Sequence, residues 1–220
     1  MSEREFILEK KQYAYEPSLY IDMEYTQAAL KYYFHKYLND ERYTFALANA
    51  YIDAAQGIIE KGGFVEPNKS IWVFLNGKEY EEDYPVLAIQ ENYLAALELA
   101  KKLAKEEPAE YSEFYTRTCL KYAKCIMHSY NKDINDITDA YEQALNSVKG
   151  SSPQALKLKA EIYESLFEEN SQLDIVEQAE YAPLLIDIYN KLIEHYEDCK
   201  NTAKVYIEYL QALIEKASEE

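Results

Sequence analysis

Only five glycines and six prolines interrupt 220 residues. A chain with so few breakers cannot reverse direction often, so its regular elements must be long. Apolar residues recur with a period near 3.6 along most of the chain, which predicts helices. Eight are expected, over roughly 17–38, 40–61, 84–106, 108–130, 134–149, 153–169, 173–198 and 201–218. Their ends have physical causes. Ser152-Pro153 reads as an N-cap followed by proline at the first helical position, where a missing N–H costs nothing. Tyr84-Pro85 and Glu107-Pro108 place proline near two other starts. Gly62-Gly63 and Gly150 suit the left-handed conformation that ends a helix. Leu185, Ile188, Leu192 and Tyr196 form one apolar stripe in the seventh helix. Pro183 within it marks either a kink or the helix's true start after a short turn.

Short linkers force consecutive helices to run antiparallel, as side-by-side hairpins. Two architectures follow, a closed bundle and an open stack. A recurring Tyr-x-x-Ala-Leu pattern favours the stack. It occurs at Tyr43–Leu47, Tyr93–Leu97, Tyr141–Leu145 and Tyr209–Leu213. On a helix the Tyr and Ala share a face, and the small Ala lets a neighbouring helix approach. Ser152-Pro153 follows the third copy, with Ala160 and Tyr163 in the next helix. This arrangement resembles the second helix of a tetratricopeptide repeat and the start of the next repeat. The copies are degenerate, with tyrosines 50, 48 and 68 residues apart, against about 34 in that family.

The resemblance implies an all-α solenoid of stacked antiparallel hairpins, forming a single helical-repeat domain over 1–220. It also implies a non-catalytic scaffold that binds a protein or peptide on a concave wall lined by the first helix of each pair. Helices four and six would supply that wall, with Tyr115, Tyr122, Lys159 and Tyr163 as binding residues.

Residues 62–84 break the helical pattern. Ser70–Leu75 is β-branched and aromatic, Asn76-Gly77 follows, and Lys78–Glu82 comes next. Asn-Gly between two such runs predicts a β-hairpin over about 71–82, because both turn residues need positive φ. A lone hairpin is marginal in water, so it must pack on the helices or gain strands. The segment Glu5-Phe-Ile-Leu-Glu9 is one source of a further strand. Trp72 and Phe74 have two readings: a plug that seals the end of the helical core, or a recognition element offered to a partner.

Charge narrows the partner. The formal net charge is −17, from 40 acidic and 23 basic residues. That field repels nucleic-acid phosphates and anionic membranes and favours a neutral or basic protein or peptide. Arginine occurs only at 4, 42 and 117, too few and too scattered for a phosphate clamp. The 23 tyrosines suit half-buried, ring-lined surfaces, including surfaces that self-associate into a homo-oligomer. Charges in the first eleven residues argue against a secretory leader, and no apolar run is long enough to cross a bilayer. Three cysteines without Cys-x-x-Cys spacing read as reduced thiols of a cytoplasmic protein.

Catalytic signatures do not stand out. No Gly-x-Ser-x-Gly, His-Glu-x-x-His or phosphate-cradling glycine loop is present, and no cofactor is implied. Cys125 with His128, and His195 with Cys199, have helical spacings that place thiol and imidazole on one face. They carry the alternative of a compact acidic helical enzyme or metal-binding protein. A second alternative is an acidic inhibitor that mimics nucleic acid.

Overall fold

Helices and a hairpin follow one another in the order that the periodicity sets. The computed structural model describes residues 23–61, 70–127, 134–169, 175–196 and 200–218. Among them are α1 (Met23–Tyr37), α2 (Thr44–Glu60), β1 (Ile71–Leu75), β2 (Lys78–Glu82) and α3 (Pro85–Glu106). Then come α4 (Pro108–Met127), α5 (Ile134–Ser147), α6 (Pro153–Glu169), α7 (Ile175–His195) and α8 (Lys200–Ala217). The fold is all-α with one two-stranded antiparallel sheet. Each expected helix is present, and the expected ends that fall among the described residues are met within a few residues. The second starts later than expected, because Glu41–Tyr43 form a 3₁₀ turn in which the Arg42 N–H donates to Asp40 Oδ1. The expected extensions at 17–22, 128–130 and 173–174, the stop at Gly62-Gly63 and the segment Glu5–Glu9 lie outside the described residues.

Two of the local signals act as their chemistry requires. The Ala155 N–H donates to Ser152 Oγ at 3.2 Å, which caps α6 ahead of Pro153. Gly150 takes a left-handed φ of 77° between α5 and α6. Pro183 lies inside α7, which runs through it from Ile175 to His195. Pro183 is exposed, and its missing N–H leaves the Ala179 carbonyl without its helical donor.

The chain divides within α4 into two compact units, one ending at Thr118 and the other beginning at Cys119. In the first unit α2 packs on α1 and on α3, and β1 packs on α1 and on α3. Burial on several sides demands small residues, and α2 buries Ala46, Ala48, Ala50, Ala54 and Ala55. From α3, Ala88, Ala96 and Ala100 are fully buried as well. In the second unit α6 packs on α5 and α7, and α7 on α8. Its core gathers Leu156 and Ala160 of α6, Ala182, Leu185, Ile188 and Leu192 of α7, and Leu210 and Leu213 of α8. The expected stripe of α7 is therefore the face turned inward. Its last member, Tyr196, is half-buried, with the Lys157 ammonium 3.6 Å from its ring centre.

One close approach sets how α1 lies on α2. A Cβ at Gly57 would stand 2.6 Å from Thr26 Oγ1 and 3.2 Å from the Met23 Cα. Thr26 is buried, and its hydroxyl donates to the Met23 carbonyl at 2.9 Å, so it has little freedom to move aside. Helix propensity alone favours Gly57→Ala by about 1 kcal/mol. We expect the opposite sign. Gly57→Ala should lower the stability of the first unit by roughly 1–3 kcal/mol in denaturant titration, the usual cost of overpacking. Adding Thr26→Ala should recover part of that loss.

Candidate functional site

The Asn76-Gly77 turn decides which atoms of the hairpin are offered outward. Both residues have positive φ, 48° and 85°, as a two-residue primed turn requires. The register is then fixed, with Leu75 opposite Lys78, Phe74 opposite Glu79, Val73 opposite Tyr80 and Trp72 opposite Glu81. The pair flanking a two-residue turn exchanges hydrogen bonds, and such pairs alternate along the ladder. Ile71, Val73 and Leu75 therefore bond to β2, whereas the main-chain N–H and C=O of Trp72 and Phe74 point away from it. The Phe74 N–H confirms this direction by donating to Gln27 Oε1 of α1 at 2.8 Å.

Side chains alternate between the two faces of the strand. Val73 and Leu75 are buried on one face, where the hydroxyl of half-buried Tyr80 reaches Glu91 of α3 at 3.4 Å. Phe74 is buried on the other face, edge-on to Phe34 of α1 at 5.5 Å between ring centres. Lys31 of α1 pairs with Glu79 on that same face at 2.8 Å. Trp72 also points to that face but lies beyond the cover of α1, with 67% of its surface exposed. The turn itself is held down by Tyr51 of α2, whose hydroxyl donates to Asn76 Oδ1 at 3.1 Å.

Between α1 and the outer edge of β1 runs a groove of about 590 Å³. Met23, Gln27, Ala28 and Lys31 line it from α1, and Ile71, Trp72, Val73 and Phe74 from β1. Ile58, Lys61 and Pro85 line it as well. Its volume is that of a site for a small ligand or a short peptide segment. Gln27 gives it an unusual polar feature. Its Oε1 is fixed as the acceptor of the Phe74 N–H, so the amide orientation is not open to a flip. The Nε2 on the same group is buried with no hydrogen-bond partner among the described residues. A buried donor left unmade costs about 1–3 kcal/mol, which an incoming carbonyl would recover.

The other residues singled out from the sequence lie elsewhere. Tyr115 is a half-buried α4 residue of the first unit. Tyr122, Lys159 and Tyr163 belong to the second unit. Tyr122 is half-buried on α4, near Cys125 and Asp136, and burial raises its pKa. Tyr163 packs against Tyr181 of α7 at 6.3 Å, its pKa raised by burial and then by Tyr181 and Glu142. Lys159 donates to the Gly150 carbonyl at 3.5 Å, so it helps close the α5–α6 connection. Of the thiol–imidazole pairs, His128 and Cys199 lie outside the described residues. Cys125 is buried, which pushes its thiol up to about 12. No group of three His, Cys, Asp or Glu able to hold a metal ion occurs among the described residues. No described helix is long and apolar enough to cross a membrane.

Sequence reading found the β1 half of the groove and missed the α1 half. Gln27 sits in a helix of mixed composition, and nothing local marks its amide as the partner of a strand 47 residues away. Comparison with protein families, with curated proteins and with solved structures finds no match for this chain.

Two expectations follow from this geometry. Phe74→Ala should cost about 3–5 kcal/mol of first-unit stability, as for a buried aromatic, whereas Trp72→Ala should change it by less than about 1 kcal/mol. Denaturant titration of the two variants checks this contrast. The second concerns alkali. Burial pushes the Tyr51 phenol from its ordinary 10.0 to about 12, outweighing its hydrogen bond to Asn76. Above pH 10 the unfolded chain then loses this proton while the folded chain keeps it, so stability falls as pH rises from 10 toward 12. Tyr51→Phe should cost about 1 kcal/mol at neutral pH through the lost hydrogen bond. It should also weaken the dependence of unfolding on pH between 10 and 12.

Proposed function

We propose that this protein is a non-catalytic, tetratricopeptide-like helical scaffold that binds an extended protein segment, and that the groove beside β1 is where it does so. The observation that carries this reading is the outer edge of β1. It presents the main-chain N–H and C=O of Trp72 and the C=O of Phe74, with the exposed Trp72 indole above and the Gln27 Nε2, which has no hydrogen-bond partner among the described residues, beside them. An edge of this kind takes an added strand: main-chain hydrogen bonds give the affinity, and pockets for alternate side chains give the selectivity. Exposed Trp is also the residue type most enriched at binding hot spots.

The net charge of −17 defines the partner further. A neutral or basic segment approaches such a surface, and an acidic one is repelled. The groove lining itself carries both signs, with Glu24, Lys61 and the Lys31–Glu79 ion pair. Apolar side chains in the occupant, flanked by basic residues, fit this distribution.

The test uses Trp72, the only tryptophan in the chain, as a built-in reporter. Nine-residue peptides with alternating apolar residues and either basic or acidic flanks are titrated against the protein. Basic-flanked peptides should shift the indole emission to the blue in a saturable way, and acidic-flanked ones should not. Proline substituted at the centre of a binding peptide should abolish the shift, because it removes a main-chain donor. Binding that survives central proline, or that ignores Gln27→Leu, would rule out strand addition at this edge.

A further inference from the structure

One exposed aromatic ring and one carboxylate stand side by side at the groove. We propose that Trp72 and Glu81 form a subsite for a single basic side chain of the bound segment, and that this subsite takes arginine in preference to lysine. The inference deepens the reading of the groove as a site for an extended segment and rests on it. It requires no main-chain pairing with β1.

The hairpin register brings the two groups together. Trp72 lies directly opposite Glu81. Theirs is a pair that exchanges no ladder hydrogen bonds, the kind whose Cα atoms come within about 4.5 Å and whose side chains leave the sheet on the same face. Both residues are exposed on that face.

Pairing then singles out Glu81. Carboxylates recur at every second residue here, as Glu79, Glu81 and Asp83. Glu79 is paired with Lys31 at 2.8 Å. Asp83 accepts from the Ser70 hydroxyl at 2.9 Å. Glu81 has no hydrogen bond or ion pair among the described residues. The charges that line the groove, Glu24 and Glu79 with Lys31 and Lys61, balance one another. Glu81 at its border therefore leaves one negative charge in excess, which a single cation offsets.

Chemistry selects the cation. A guanidinium is flat and always charged, and it stacks on an aromatic face while its N–H fork meets a carboxylate. The Trp72 indole supplies the face and Glu81 the carboxylate. A lysine ammonium is a compact, strongly hydrated charge that gains less from such a pair. The neighbouring position on the strand offers no equivalent. Phe74 is buried, and Glu79 opposite it already holds the Lys31 ammonium, which repels a second cation.

The experiment uses labelled nine-residue peptides with alternating apolar residues and one arginine, which is stepped along the peptide. Each has a lysine counterpart and a counterpart with neutral citrulline. Affinity for the full chain is read by fluorescence anisotropy. At one arginine position the peptide should bind about tenfold more tightly than its citrulline counterpart, with lysine in between. Glu81→Gln should remove most of that advantage and leave the citrulline peptide unchanged, and Trp72→Leu should weaken the arginine peptide. Glu98→Gln, which removes the same charge from an exposed position on α3, should leave the advantage intact. An equal loss in Glu81→Gln and Glu98→Gln overturns the subsite, because the preference would then come from the general field of the protein. So does an arginine advantage that survives Glu81→Gln. The groove's wider role is judged separately. Tight binding with no preference for arginine at any position removes the subsite alone, whereas failure of every peptide to bind removes the groove reading and the subsite with it.

Discussion

The positive φ angles at Asn76 and Gly77 are the constraint from which the first unit's surface follows. A two-residue turn of this type admits one register. Because side chains alternate, slipping it by one residue would turn every side chain to the opposite face. In the observed register Val73 and Leu75 go to the core, Phe74 goes to α1, and the main-chain groups of Trp72 and Phe74 go to the outer edge. The turn is locked in turn by its neighbours. Tyr51 bonds to Asn76, and a Cβ at Gly77 would stand 3.0 Å from the Phe34 ring. Phe34 is the same ring that meets Phe74 edge-on. One aromatic of α1 thus touches both the turn and the strand that the turn sets in register.

Gln27 shows how close this arrangement comes to closing the edge without doing so. Edge strands are commonly protected by charge, by proline or by a covering element. Here α1 supplies one amide oxygen to one N–H and stops, leaving its own amide nitrogen buried without a partner. A purely structural cap would satisfy both ends of the amide. The half-satisfied amide and the exposed Trp72 indole both lie at the groove beside this edge. The Lys31–Glu79 pair adds little to stability, since both side chains are about half exposed. Its effect is on orientation, because it ties α1 to β2 across the strand whose edge stays open.

Much of the fold is legible in the sequence because its determinants are local. The Ser152-Pro153 cap, the Asn76-Gly77 turn and the Leu185-Ile188-Leu192 stripe each act within a few residues. The Tyr-x-x-Ala-Leu copies show where locality ends. Ala46, Ala96 and Ala144 are all buried, as the pattern implies. Tyr93 and Tyr141 are buried with them, yet Tyr43 is only half-buried and Tyr209 is 54% exposed beside an exposed Ala212. The pattern records which residues share a helix face. It holds no information on whether another helix covers that face.

Trp72 and Phe74 carry the same lesson into the site. Two residues apart on a strand, they share a face and are equivalent to any local reading. Their different fates come from α1, whose Phe34 and His35 lie over Phe74 while Trp72 is left beside the groove. The buried Phe74 ring anchors the strand on α1, and the exposed Trp72 ring borders the groove. That division has an energetic logic. An exposed indole keeps a fixed position only if the strand beneath it is rigid, and the burial of Val73, Phe74 and Leu75 supplies that rigidity. Buried and exposed aromatic surface are then separable by mutation along a single strand, although both depend on the same turn.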